Sequence, residues 1–323
     1  MLQAPATDML FWPKSPFIPD LRFLPEYLLR KQCERTKNKE EQGFARQWFL
    51  LAGRTDKKSL LDPQPAQLHK IIPPIDRIWA DPFLWKRGDD FFVFCEEWLY
   101  SRPRGHLSVM QLSSDGSSVS APIPIVEENH HLSYPFVFEY EGELYMMPEA
   151  GAASSIDIYR CEEFPHRWRK HTTLMRNIRY ADATLKEHDG KWWLFATVKR
   201  GLFALSRDLF VFSADSPLTD KWAPHPENPV VRSIYGARPA GPLFELDGKL
   251  FRPSQDCMIR YGYGLRINEI QELNGRSYRE HLVTEITPDW ESGIRANHHI
   301  DWLDGMMVMD TQRLIRESEA ARS

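Results

Sequence analysis

A chain of 323 residues, 42% hydrophobic and 27% charged, has the composition of an ordinary globular protein. A formal net charge of −4 argues against the phosphate backbone of a nucleic acid as its main partner. No apolar stretch reaches the roughly 18 residues that a membrane span needs, and no basic-then-apolar leader opens the chain, so a cytoplasmic location is expected. The four cysteines (Cys33, Cys95, Cys161, Cys257) are scattered without a CxxC, as expected of free thiols in a reducing compartment.

Residues 1–70 read as an N-terminal extension that is partly helical. Its first 20 residues or so are Pro-rich, and a helix is expected from Leu24 to about Arg46, with Pro25 in its first turn. The run Gln47–Ala52 then reads as a strand, and residues 47–53 are expected to complete the last unit of the repeat that follows.

That repeat begins at Trp79–Trp98. An apolar run (Phe83, Leu84, Trp85), a turn at Arg87-Gly88-Asp89 and a second apolar run (Phe91 to Phe94) predict a β-hairpin. Asp81 stands before its first strand and Glu96 and Glu97 after its second, so antiparallel pairing gathers three carboxylates at one open end. Similar hairpins pair Ser133–Phe138 with Leu144–Glu149, Ala181–Leu185 with Trp192–Ala196, Ala240–Phe244 with Leu250–Arg252, and His298–Trp302 with Met307–Asp310. Their turn glycines fall at 88, 142, 190, 248 and 305. A period of about 50 residues holds one four-stranded unit, and units of this kind close into a ring. Further strand pairs (Leu107–Leu112 with Ile123–Glu127, Ile156–Arg160 with His171–Met175, Leu209–Ala214 with Val230-Val231) fit the outer halves of the units. The prediction is an all-β, five-bladed β-propeller over residues 71–312, followed by a polar tail at 313–323.

In such a ring the innermost strand of each blade lines a central channel. One rim of that channel carries Asp81, Glu96, Glu97, Ser133, Tyr134, Glu149, Asp182, Arg238, Gln255, Asp256, Asn297, His298 and Asp310. Blade packing calls for apolar residues, and turn chemistry accounts only for the Asp-Gly pairs at the far end. Crowded carboxylates raise one another's pKa, which yields the protonated acid and ionised base that glycosidic-bond cleavage uses. The candidate catalytic residues are Asp81 (base or nucleophile), Glu149 (acid) and Asp182, which would hold their pKa values apart. Candidate substrate-binding residues are Glu97, His131, Tyr134, Arg238, Gln255, Asp256 and His298. For any one carboxylate the competing reading is a cap on backbone N–H groups at a strand end. Trp79, Trp98 and Tyr134 either stack a sugar ring or pack between blades. His298 is either a ligand contact or a hydrogen-bonded ring filler, and His130 and His131 either bind substrate or decorate a loop. The sequence has no GxxxxGK[ST], no GxSxG, no rim Asp-x-Asp and no His/Cys set with zinc spacing, so no cofactor and no metal is expected.

Ordered motifs over about residues 75–310 carry a resemblance: Ala-Asp-Pro-Phe at 80–83, His-Leu-Ser-Tyr-Pro at 131–135, Met-Pro-Glu at 147–149, Trp-Trp-Leu-Phe at 192–195, Ala-Arg-Pro-Ala-Gly at 237–241 and Arg-Pro-Ser-Gln-Asp at 252–256. Together they resemble the N-terminal propeller domain of glucosamine inositolphosphorylceramide transferase and its stand-alone bacterial relatives. That family is similar in architecture to the five-bladed glycoside hydrolases of families 43, 32 and 68 and the mannoside phosphorylases of family 130. The resemblance implies a carbohydrate-facing propeller and a base or nucleophile at the blade-one Asp-Pro, which is Asp81 here. Where family 43 enzymes carry a second Asp on blade two and an acid Glu on blade three, this chain has Tyr134 and Asp182, with its Glu at 149. In the plant-type protein the resemblance assigns transferase chemistry to a separate C-terminal domain.

Two functions follow as expectations. One is an enzyme acting on a glycosidic bond, hydrolase-like or transferase-like, with a carbohydrate or glycolipid substrate. The other is a non-catalytic propeller that binds a glycan or a partner, such as a glycan-assembly enzyme.

Overall fold

The structure, a computed structural model, describes residues 41–199 and 207–320 together with Leu28 and Gln32. Five antiparallel sheets follow one another along the chain as the blades of a β-propeller. From the channel outward, blade one is Arg77–Arg87, Asp90–Leu99, His106–Leu112 and Ile123–Val126. Blade two is Ser133–Tyr140, Glu143–Glu149, Ser155–Glu163 and Arg167–Arg176. Blade three is Tyr180–His188, Lys191–Val198 and Asp208–Ala214, its outer edge shared by two short strands, Ala223–Pro224 and Val231–Arg232. Blade four is Phe244–Leu246, Lys249–Asp256, Gly264–Leu273 and Tyr278–Ile286.

Blade five joins the two ends of the chain. Ile294–Ala296 and Ile300–Leu303 pair with Met306–Arg316, which pairs with Phe44–Arg54, which pairs with His69–Ile71. The closing ladder runs unbroken from Phe44 opposite Arg316 to Arg54 opposite Met306. It therefore extends past the expected strand at both ends. Residues 41–43 form a turn and Phe44–Arg46 are extended where the helix was expected to finish; of the rest of that helix only Leu28 and Gln32, both helical, are among the described residues. Arg313–Arg316 belongs to the strand and not to a tail. Burial of Ile315 and a paired donation from the Arg313 guanidinium to Gln47 Oε1 (2.7 and 3.0 Å) hold this extension.

The hairpin turns follow from their Asp-Gly or Glu-Gly pairs. Both central residues take positive φ in four blades: Glu141 and Gly142 (52° and 78°), Asp189 and Gly190 (51° and 71°), Asp247 and Gly248 (50° and 75°), Asp304 and Gly305 (48° and 84°). This is the mirror-image turn whose twist matches that of the strands it joins. The apolar core lies in layers between blades. Phe83 and Phe94 of blade one pack with Phe136, Phe138 and Met147 of blade two and Leu185 and Leu194 of blade three. Phe49, Leu51, Met307 and Met309 of blade five pack with Phe251 and Ile267 of blade four.

Among the glycines, Gly241 makes the closest approach to another blade. Its φ is 131°, and a Cβ there would sit 2.0 Å from the Ile300 carbonyl oxygen. Gly241→Ala should destabilise the fold by about 2 kcal/mol or more, because both the backbone conformation and the approach are closed to a side chain. Gly275→Ala, with open space around it, should change stability by less than about 0.5 kcal/mol. Urea unfolding midpoints check both; equal midpoints would contradict the blade-four to blade-five contact.

Candidate active site

Three inner strands begin with the same irregularity. Asp81, Tyr134 and Asp182 have φ of 52°, 48° and 52°, and the ladder skips register at each, between Ala80 and Phe83, Ser133 and Phe136, and Ala181 and Thr184. Asp tolerates this left-handed conformation, whereas Tyr rarely adopts it. Each irregular residue is held by an oxygen from elsewhere in the ring. Asp310 Oδ2 of blade five accepts the Asp81 N–H at 2.9 Å, Asp81 Oδ2 accepts the Tyr134 N–H at 3.1 Å, and Glu149 Oε2 accepts the Asp182 N–H at 3.0 Å. Tyr134 Oη accepts the Gly241 N–H of blade four at 2.9 Å. Asp182 in turn accepts from Arg238 (Nε 2.5 Å, Nη2 3.2 Å) and from Gln255 Nε2 (2.8 Å). Six of the ten expected catalytic or binding residues thus meet through direct bonds: Glu149, Asp182, Arg238 and Gln255 form one group, and Asp81 is bonded to Tyr134 in another.

The second group continues into blade five. Asp310 Oδ1 accepts the N–H groups of His298 and His299 (3.0 and 2.9 Å), and its Oδ2 lies 2.7 Å from His298 Nδ1. The His298 ring stacks on Trp48 at 4.0 Å and lies 3.7 Å from Asp81 Oδ1. Burial disfavours the His298 charge, but Asp310 and then Asp81 outweigh it and raise its pKa to about 9. His299, fully buried beside Phe83 and Tyr134, is pushed down to about 3 by burial. Asp81 is raised well above the usual carboxylate range by burial, although the His298 charge opposes this; Asp182 and Asp310 add to it. Glu149 is raised by burial and then by the Asp182 charge, with Arg238 opposing. The sequence showed no metal set, yet the fold brings one ligand atom each of Asp81, His298 and Asp310 within 4.8 Å of one another. The His298 ring lies between the two carboxylates, 2.7 Å from Asp310 and 3.7 Å from Asp81.

The remaining expected residues make no direct bond to these two groups. Glu97 is buried inside blade one, where Arg77, Trp79, Ser108 and His106 surround it and hydrogen bonds bring its pKa down to about 2 against the cost of burial. Glu96, its neighbour, is the one that meets His131 (Oε1 to Nε2 3.2 Å). Asp256 accepts the Met258 N–H and caps its own turn. Trp79 and Tyr134 are buried, so neither offers a face to a sugar, while Trp98 is 36% exposed and lies beside His131. Tyr261 was not foreseen. It is 40% exposed, lies edge-on to His298 and carries the Arg238 guanidinium over its ring at 4.8 Å. His299 and Thr184, which bonds the Tyr134 hydroxyl at 2.8 Å, were also missed. A cavity of about 340 Å³ among Lys186, Phe244, Glu245 and Trp302 lies at the other, hairpin-turn end of the channel, away from these carboxylates.

Residues 72–308 match the family described as "Glucosamine inositolphosphorylceramide transferase 1, N-terminal". The chain belongs to this family. It is 36% identical over 231 residues to "Glucosamine inositolphosphorylceramide transferase 1" of Oryza sativa subsp. japonica, covering 69% of this chain and 31% of that protein. The Arabidopsis thaliana protein of the same name is also 36% identical, over 62% of this chain and 26% of its own length. The chain thus spans under a third of the curated relatives it matches. In fold it is similar to the catalytic domain of Coprinopsis cinerea GH62 alpha-L-arabinofuranosidase (TM-score 0.53, 11% identity, 72% of this chain and 90% of that one). It is likewise similar to the GH43 endo-arabinanase from Bacillus licheniformis (TM-score 0.51, 17% identity, 73% and 92%).

The family segment holds every bond of the mouth except those to Asp310, which lies just beyond it. Because His298 has a raised pKa, its contribution to stability is complete below about 6.5 and is lost as pH rises through about 9. Wild type should lose on the order of a few kcal/mol across that window beyond what His298→Gln loses. Denaturant unfolding at a series of pH values checks this. Parallel curves for the two proteins would mean that the Asp310–His298 contact carries no proton.

Proposed function

We propose that this propeller is a carbohydrate-active enzyme that acts on a glycosidic bond at its carboxylate-lined mouth. The observation that carries this reading is that Asp81 and the half-buried Glu149, from neighbouring blades, are each raised first by burial and further by the same Asp182 charge, which moves both in one direction where it was expected to hold them apart. Glu149 is then the proton donor to the leaving oxygen, and Asp81, with charged His298 beside its Oδ1, is the base or nucleophile. Arg238 and Gln255 both bond to Asp182, so Arg238 positions this group before it contacts any ligand. The names of the relatives support a glycan or glycolipid as substrate.

A second reading, a non-catalytic glycan-binding propeller, is favoured by two observations. Asp81 and Glu149 each already accept the N–H of another blade, as caps would. Asp81 is also only 3% exposed, whereas Trp98 and Tyr261 stand open at the rim.

Turnover of a glycoside found by screening separates the two. Asp81→Asn keeps an acceptor for the Tyr134 N–H, and Glu149→Gln keeps one for Asp182. Each should bind sugar within a few-fold of wild type yet lose about 100-fold or more in rate. Wild-type turnover in both variants, with sugar affinity lost only in Trp98→Ala or Tyr261→Ala, would leave the binding reading standing.

A further inference from the structure

Beside the acidic mouth lies a basic cluster that the glycosidic chemistry does not use. Glu41, itself buried, accepts from Arg260 Nη1 (3.0 Å) and Arg295 Nη2 (2.8 Å) on its Oε1 and from Arg46 Nε (2.8 Å) on its Oε2. Even with Arg46 set aside, two guanidinium groups share one carboxylate oxygen. Among the described residues Arg260 and Arg295 have no other acidic partner, and the Nε–H of each is buried without an acceptor. Burial and the charges of Arg295 and Arg46 lower the Arg260 pKa, as like charges packed beyond their counter-ion should. The cluster adjoins the mouth through the chain. Arg260 precedes Tyr261, which touches both Arg238 and His298, and the Gly262 carbonyl accepts the Asn297 N–H two residues after Arg295.

We infer that Arg260 and Arg295 form an anion site for a phosphate group, with the Glu41 carboxylate occupying it as an internal stand-in. Guanidinium forks suit the paired oxygens of a phosphate, in an ester or a diester alike. Arg295, with its side chain 25% exposed, leaves the site open on one side. A phosphorylated ligand held there would direct its sugar towards the carboxylates, a second step that rests on the function proposed above. The phosphate site itself does not.

Calorimetric titration tests it, with inorganic phosphate, with glycerophosphoinositol as a soluble diester, and with vesicles of phosphatidylcholine and phosphatidylinositol as the lipid source. Glu41→Gln removes the internal competitor and should bind phosphate roughly tenfold tighter or more than wild type. Adding Arg260→Gln or Arg295→Gln should reverse that gain, and added salt should weaken all binding. Diester binding without vesicle binding assigns a soluble ligand, whereas vesicle binding lost in Arg260→Gln assigns a lipid headgroup. No gain of affinity for any probe in a cooperatively folded Glu41→Gln overturns the site. If that variant does not fold, the comparison moves to wild type against Arg260→Gln and Arg295→Gln, and phosphate that leaves the wild-type Tm unchanged overturns it. Asp81→Asn should bind phosphate as wild type does, so loss of the glycosidic reading would leave this one intact.

Discussion

A carboxylate that accepts the backbone N–H of a left-handed residue in another blade is the contact on which the mouth depends. A non-glycine residue in that conformation costs about 1–3 kcal/mol. A buried hydrogen bond returns about 0.5–1.5 kcal/mol, and about 1.5–3 kcal/mol where the acceptor is charged, as Asp310 is. Asp81, Tyr134 and Asp182 each combine the two. The strain is thus offset only while the blades are docked, which couples the inner strands of blades five, one, two and three more tightly than apolar packing alone. Blade four joins through side chains instead, by Arg238 and Gln255 on Asp182.

The same oxygens therefore serve architecture and chemistry. Asp81 gives Oδ2 to the Tyr134 N–H, while its Oδ1 is buried without a hydrogen-bond partner, 3.7 Å from His298 and 3.9 Å from His299. An oxygen so placed is left over from folding. His298, stacked on Trp48 and bonded to Asp310, supplies a positive charge next to it and stays charged because two carboxylates face it. Asp310 is the anchor of this group, since it accepts the N–H of Asp81, His298 and His299 and keeps a low pKa through His298 despite burial.

On the other side of Tyr261 the charge pattern reverses. Acidic groups dominate at Asp81, Glu149 and Asp182, and arginines dominate around Glu41. The aromatic ring between them carries one guanidinium on its face and meets an imidazole with its edge. That division suits a ligand with a neutral, hydroxyl-rich part and an anionic part.

What the sequence determined by itself was whatever repeats locally. Alternating apolar residues and glycine turns set five hairpins, and their period set the ring, because strand pairing across a two-residue turn needs no distant partner. The rim positions followed from the same arithmetic, which is why Asp81, Glu149, Asp182, Arg238 and Gln255 could be named together. Side-chain direction did not follow. A bulge at Asp81 shifts the alternation by one residue, and the ladder then sets Glu96 opposite Ala80 and Glu97 opposite Trp79. Glu96 therefore reaches His131 while Glu97 turns into the blade. The left-handed backbone, the protonation of His298 and the arginine cluster were decided only by the tertiary structure. Their partners stand 229 residues apart for Asp81 and Asp310 and 219 apart for Arg260 and Glu41. Contacts over such separations are set when the ring closes, and no local pattern encodes them.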